Sequence, residues 1–354
     1  VPQTPHPETW IRITPQGLYC EPGDFHIDPV AAVPRAIISH GHSDHARPGH
    51  DAVLATPETL AIMAARLGAG AGATHQPLGY HQPLMQKDVR VTLVPAGHVL
   101  GSAQVVLDWR GSRIVVSGDY KRQPDPTCAP FEPVCCDVFV TEATFALPVF
   151  RHPPVEHEIQ RLLDSVALFP ERAHLVGCYA LGKCQRLIAL LRQAGWDRPI
   201  FLHGAQANMC ALYERFGIAL GDLRPVPRPE KRGATVLPGE IVLAPPSAEA
   251  SPWMRRLADP VTAVASGWMR VRQRAKARGV ELPLIVSDHA DWPDLLASIA
   301  ETAAPEVWVT HGREEALIHA LAGQGIRGRA LHLLGREEDE GEAAADAPEA
   351  EPAA

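Results

Sequence analysis

Ser39-His40-Gly41-His42-Ser43-Asp44-His45 follows directly on Arg35-Ala36-Ile37-Ile38, and this stretch decides how the chain is read. The short β-branched run predicts a buried strand. Four metal-ligand side chains follow within six residues: His40, His42, Asp44 and His45. Imidazole nitrogen and carboxylate oxygen are the donors that zinc or manganese takes. His40 and His42, two apart on an extended chain, can point to one side and chelate one ion. Asp44 and His45 come after a turn and can reach a second ion beside it. A polar loop that is His-rich by chance is disfavoured, because the cluster sits at a strand end and more ligands recur downstream.

The recurrence has one form, a strand followed by a polar residue just past its end. The run Val89-Arg90-Val91-Thr92-Leu93-Val94 predicts a strand that delivers Gly97-His98. Residues 103–109 and 113–117 predict a hairpin turning at Arg110-Gly111, and its second strand delivers Gly118-Asp119. Strand 137–141 delivers Glu142, strand 284–286 delivers Ser287-Asp288-His289, and strand 307–309 delivers Thr310-His311. Thr56-Pro57 opens a helix that ends at Gly68, and a second helix covers Trp292–Thr302. The strand-end donors His40, His42, Asp44, His45, His98, Asp119 and His311 suffice for two divalent ions, with one aspartate, Asp119 first, as bridge. Two ions about 3.5–4 Å apart can clamp both the attacking and the leaving oxygen of a phosphoryl transfer. This accounts for the donors and leaves the substrate open.

Between residues 150 and 280 the pattern changes. Helix 155–169, strand 174–178, helix 183–194, strand 199–203 and helix 207–216 alternate, which predicts a parallel α/β unit. Residues 219–239 read as a Pro- and Arg-rich connector, and 241–244 and 261–265 as two more strands.

The 354 residues are 46% hydrophobic, a globular composition long enough for two domains. No apolar run of 18 residues is present, so no membrane helix is expected. Val1-Pro2-Gln3 shows no basic-then-apolar leader pattern and lacks Met, as after trimming. Seven cysteines with no CxxC pair argue against a disulfide scaffold or zinc ribbon and predict a reduced, cytoplasmic setting. The net charge is -8, but residues 336–354 alone hold eight acids and one base, Arg336. That acidic, Ala- and Pro-rich tail is expected to be disordered. The rest carries 32 bases against 33 acids, a near-neutral body that does not exclude nucleic acid.

His40-x-His42-x-Asp44-His45, then His98, then Asp119, resembles the metallo-β-lactamase fold. Asp28 fits that fold's first motif aspartate, which orients the histidine loop. Glu142 in Thr-Glu-Ala-Thr, His289 in Ser-Asp-His-Ala-Asp and His311 in Val-Thr-His-Gly resemble the later motifs of the β-CASP nucleases. The likeness covers about residues 17–335. It implies an α/β protein: a metallo-β-lactamase αββα sandwich from residues 1–150 and 280–335, with an inserted β-CASP α/β cap domain over 151–279. It implies that His40, His42, His98 and Asp119 hold the first ion, and Asp44, His45, Asp119 and His311 the second. The ions would be zinc or manganese. His289 would protonate the leaving oxygen, steadied by Glu142, so the catalytic set is His289, Glu142, Asp44 and Asp119.

Within that group, residues 19–24 and 266–272 resemble the bacterial exonucleases associated with an ATP-dependent DNA ligase and a helicase. That likeness implies a two-metal DNA exonuclease of DNA repair, acting on single-stranded DNA ends in preference to RNA, with a ligase and a helicase as partners. A histidine at the position of His311 is commoner in RNA-processing members, which keeps an RNA 3′-end-processing nuclease as the alternative. A metallo-hydrolase of small thioesters or lactones is disfavoured by the large insertion and by His289. A non-catalytic scaffold is disfavoured because every ligand position is filled. The backbone amides at Gly182-Lys183 could hold a phosphate. Trp268 could stack a base, and Arg270, Arg272, Arg274, Lys276 and Arg278 could meet the phosphate backbone. His26, His174 and His203 read as structural.

Overall fold

The computed structural model describes residues 4–228, 234–248, 251–277 and 279–331. The acidic tail and Arg278 therefore lie outside the described residues. The described chain forms two compact units, one made of residues up to Arg151 and from His289 onward, the other of His152–Asp288.

The first unit opens with β1 (Ile11–Thr14), β2 (Gly17–Cys20), β3 (Phe25–Ile27), β4 (Arg35–Ile37), β5 (Ala52–Ala55), α1 (Pro57–Leu67) and β6 (Thr74–Pro77). Next come β7 (Leu84–Gln86), β8 (Val89–Pro95), β9 (Ala103–Trp109), β10 (Ser112–Val116) and β11 (Val138–Ala143). The second unit holds α2 (Val155–Leu168), β12 (His174–Gly177), α3 (Lys183–Gln193), β13 (Ile200–Leu202), α4 (Gly204–Arg215) and β14 (Leu223–Pro225). It ends with β15 (Ile241–Ala244), β16 (Val261–Ala265), α5 (Arg272–Ala277) and β17 (Leu282–Leu284). The chain then completes the first unit with α6 (Trp292–Thr302), β18 (Glu306–Gly312), α7 (Glu314–Gly323) and β19 (Arg327–Ala330).

In the first unit, one sheet runs β1-β2-β3-β4-β5-β6 and the other β19-β18-β11-β10-β9-β8-β7. The period-2 alternation of side chains sorts each strand between two cores. Ile37 and Leu54 from the first sheet share a cluster with Val89, Ile114, Val138 and Trp308 from the second. Their neighbours point the other way. Ile38, Val53 and Ala55 pack with Leu60 and Met63 of α1. Val115, Phe139, Val307 and Val309 pack with Leu295 and Ile299 of α6 and Leu317 and Leu321 of α7. The result is four layers: helix, sheet, sheet, helices. Helix α1 starts where the sequence predicts, with the Thr56 hydroxyl accepting from the Thr59 amide at 3.2 Å, and ends at Gly68 with φ 53°.

The second unit is an all-parallel sheet in the order β14-β13-β15-β12-β16-β17. Two readings change here. The expected connector contains β14, which pairs with β13 although its sequence is Leu-Arg-Pro. Proline at the end of an edge strand removes a donor that an edge does not need. The strand expected at 284–286 runs instead over Leu282–Leu284 and pairs with β16, so the chain leaves this sheet later than residue 280. Among the described residues no helix is long and apolar enough to cross a membrane.

Trp308 is 1% exposed, sits between the two sheets of the first unit and donates its indole N–H to Glu306 at 2.6 Å. Trp308→Ala should lower unfolding stability by about 3–5 kcal/mol, read from the denaturant midpoint with the slope unchanged.

Candidate metal centre

Asp28 organises the ligand loop. It lies just past β3 with φ 43°, a left-handed conformation that aspartate tolerates. Its carboxylate accepts from the Ser39 amide at 2.7 Å, the Ser39 hydroxyl at 2.6 Å and His45 Nδ1 at 2.8 Å. Ser39 Oγ in turn lies 3.0 Å from His40 Nδ1. With the hydroxyl donating to Asp28, His40 Nδ1–H donates to Ser39. Both histidines are thereby fixed as the tautomer whose Nε2 carries a lone pair for a metal. The residues at 40–45 form a bend and a turn rather than an extended chain, with the His45 and Ala46 amides both donating to the His42 carbonyl. His40 and His42 still converge, the first through Nε2 and the second through Nδ1.

Strand ends bring the remaining donors. His98 follows β8, and its Nε2 lies 2.9 Å from His42 Nδ1. Asp119 follows β10. Its Oδ2 stands 3.4 Å from His40 Nε2, 3.4 Å from His45 Nε2 and 3.8 Å from His98 Nε2. His311, within β18, adopts φ 55°, and its Nε2 lies 4.0 Å from Asp44 Oδ2. Asp44 Oδ2 is 3.3 Å from His45 Nε2. Among the described residues the expected donors fall into His40–His42–His98–Asp119 and Asp44–His45–His311, with one oxygen of Asp119 close to both, and Asp119 also gathers with Glu142 and His289 in a third group.

These donors fit two divalent cations. The Nε2 atoms of His40 and His45 are buried and make no hydrogen bond, a costly state for a ring nitrogen unless a cation satisfies it. Burial, with His45 nearby, pushes His40 down to about 4, so this imidazole is neutral and metal-ready at ordinary pH. Burial also holds His98 well below the usual imidazole range, with His289 and His40 adding to it. Burial opposes the charge on Asp119, but His45 and His40 outweigh it and hold the carboxyl well below the usual range. For His45 the carboxylates of Asp44, Asp119 and Asp28 overcome burial and raise its proton affinity, the mark of an electronegative pocket.

His289 stands beside the first group, its ring centroid 4.7 Å from that of His98. Its Nδ1 lies 2.9 Å from Glu142 Oε2, and the other oxygen of Glu142 accepts from the Tyr120 amide at 2.8 Å. Glu142 is 1% exposed, so it acts through His289 rather than on solvent.

Several supporting residues escape sequence reading. Ser39 links Asp28 to His40. Lys121 and Asp125 form a buried pair at 2.6 Å, and the Lys121 ammonium also donates to the His98 carbonyl at 3.3 Å. Gly118 has φ 57°, and a Cβ there would lie 2.7 Å from Ser39 Oγ. A strand-end glycine before a ligand was the one visible signal.

The substrate-contact expectations fare unevenly. The phosphate cradle at Gly182-Lys183 is corrected. The Gly182 amide donates to Gln185, the Lys183 amide to Leu181 and the Cys184 amide to Tyr179, so these donors are spent inside the chain. The Lys183 side chain is buried, 3.3 Å from Asp288. Arg270 and Arg272 are exposed, while Arg274 covers the Trp268 ring at 4.3 Å. His203 caps α4 by accepting from the Ala205 amide, and His174 pairs with Ser165, both structural.

No family model matches the chain. It is 30% identical over 323 residues to a probable DNA ligase of Opitutus terrae, a match covering 89% of this chain and 30% of that protein. It is 31% identical over 157 residues to endoribonuclease YSH1 of Gibberella zeae, covering 41% of this chain and 19% of that protein. It is 35% identical over 142 residues to cleavage and polyadenylation specificity factor subunit 3 of Dictyostelium discoideum, covering 37% of this chain and 18% of that protein. The chain thus spans less than a third of the length of these curated relatives. A crystal structure of a protein of unknown function from Enterococcus faecalis aligns with TM-score 0.55 at 15% identity, over 84% of this chain and 79% of that one, a likeness of fold alone. The sequence relatives support the metallo-β-lactamase/β-CASP resemblance carried by the motifs.

Asp119→Ala should abolish binding of both ions, because its Oδ2 neighbours both groups. Asp28→Ala leaves every donor in place and should weaken metal affinity about 10–100-fold. Metal titration followed by elemental analysis checks both, and retention of one tight ion in Asp119→Ala would remove it as the bridge.

Proposed function

We propose that the chain is a two-metal nuclease of the β-CASP type on a metallo-β-lactamase sandwich. The observation that carries this is the pair of donor groups sharing one oxygen of Asp119, with the His289–Glu142 pair alongside. The relatives named as endoribonucleases support a metal-dependent nuclease. When bound, two divalent ions, zinc or manganese, supply an activated water and offset charge on the phosphoryl oxygens.

The chain's own residues do the rest. His40, His42, His98 and Asp119 would hold one ion, and Asp44, His45, Asp119 and His311 would hold the other. The attacking water gives up one proton to solvent, and its oxygen forms the new P–O bond while the bond to the leaving sugar oxygen breaks. That oxygen takes the electron pair and needs a proton, which His289 gives. Glu142 keeps the imidazole oriented through Nδ1.

The finer reading is a cytoplasmic DNA exonuclease of repair that acts on single-stranded ends in partnership with a DNA ligase and a helicase. It is supported by the ligase-named relative, whose match covers 89% of this chain, against 41% for the endoribonuclease. Arg270 and Arg272 would meet the phosphates on this reading. His311 and the endoribonuclease relatives favour the second reading, an RNA-processing nuclease.

Metal-loaded protein should shorten end-labelled single-stranded DNA faster than RNA of the same sequence. Faster loss of the RNA would replace the first reading by the second. The proton-donor role has its own check. His289→Ala should retain both metals and lose roughly 10²–10⁴-fold in rate on nucleic acid. It should lose far less on a nitrophenyl phosphodiester, whose leaving group departs without a proton. His311→Ala should weaken metal binding and depress both substrates alike.

A further inference from the structure

The second unit buries an ionic cluster that the chemistry described above does not use. Lys183 and Arg186 lie in the first turns of α3, 4% and 0% exposed. Lys183 Nζ is 3.3 Å from Asp288 Oδ2, and Arg186 is 3.4 Å from Asp288 Oδ1. The Arg186 guanidinium also donates to the Ser287 carbonyl. One step earlier, the Ile285 amide donates to Glu158 of α2 at 2.8 Å, and Glu158 pairs with Arg161 at 2.6 Å. The segment 285–288 is therefore gripped by two helices through main chain and side chain.

Burying two cations with a carboxylate costs desolvation that apolar residues of the same size would avoid. Such a cluster contributes geometry more than stability. The geometry it fixes is that of the two residues immediately before His289. Within the first unit, Glu142 holds the His289 ring, and the Ala290 amide donates to the Tyr120 carbonyl at 2.7 Å. The chain passes from the second unit to the first at the Asp288–His289 peptide bond.

We propose that Asp288, clamped by Arg186 and Lys183, is a positioning residue that sets the main chain of His289 and so aims its imidazole at the leaving oxygen. This rests on the reading of His289 as proton donor. A displacement of about 1 Å at such a group can cost on the order of 10²-fold in rate.

The experiment compares Asp288→Asn, Arg186→Lys and Lys183→Arg with His289→Ala. Each is assayed for metal content, for kcat and KM on single-stranded DNA and on a nitrophenyl phosphodiester, and by NMR of the histidine ring protons in metal-free protein. Asp288→Asn and Arg186→Lys should keep both metals and a near-normal KM. Their kcat on DNA should fall about 10–100-fold, with at most a few-fold fall on the nitrophenyl ester. The His289 ring signal should move or broaden while that of His203 stays in place. Lys183→Arg keeps a cation opposite Asp288 but puts a larger, planar head in a buried place, so it should keep both metals and show the same leaving-group-dependent fall in kcat.

An equal fall on both substrates, or an unmoved His289 signal with unchanged kcat, overturns the proposal. If Asp288→Asn does not fold, Arg186→Lys decides by the same criteria. If His289→Ala itself shows no dependence on the leaving group, the proton-donor reading fails, and the clamp as an aiming device falls with it. A leaving-group effect in His289→Ala without one in Asp288→Asn overturns the clamp alone.

Discussion

The buried carboxylate of Asp28 is the constraint on which the centre depends. It is 1% exposed and takes three hydrogen bonds from two residues of the ligand loop. Bonds to an ionised acceptor are about twice as strong as neutral ones. Through Ser39 and His45, Asp28 sets the tautomer of a donor in each of the two groups. One residue that touches no ligand atom of its own thus decides which nitrogen faces the cation at both places. Its left-handed backbone is part of the device, since strain of this kind persists only where the surroundings over-determine it. His311 shows the same feature at the far end of the second group.

The two sheets turn that local order into a site. Every donor beyond the loop lies in or just past a strand: His98 after β8, Asp119 after β10, Glu142 near the end of β11, His311 near the end of β18. β10, β11 and β18 are parallel neighbours, so their carboxyl ends lie on one side of the sheet. Valines and isoleucines on both faces lock these strands between two cores. Rigid strands with functional residues at their ends allow donors far apart in sequence to meet within a few ångströms.

Much of this is legible in the sequence because periodicity and punctuation report local physics. The β-branched run before Ser39, the Arg110-Gly111 turn and the Thr56 cap each reflect a local preference that tertiary packing did not oppose. Where the reading failed, a non-local partner had intervened. β14 carries proline and arginine and becomes a strand because β13 offers it an edge. The start of α3 looks like an anion cradle by sequence, yet Gln185 and two carbonyls had already taken its amides. Ser39 stood inside the quoted motif without a role, because only the fold brings Asp28 beside it. The burial of Lys183 and Arg186 was invisible for the same reason, since charged residues on a helix normally face water.

The order of the second sheet of the first unit has a consequence for biosynthesis. β11 pairs with β10 on one side and with β18 on the other, and the whole second unit is threaded between β11 and β18 in the chain. While the ribosome works through that insertion, β11 presents an unpaired edge, although every one of its residues is buried in the finished fold. At ordinary synthesis rates, about 160 further residues take roughly 10–30 s. An exposed edge of this kind is a template for association with other chains. His311 emerges only with β18, so the nascent chain carries an open sheet and an incomplete donor set through the same interval. Closure of the edge and completion of the second donor group are one event.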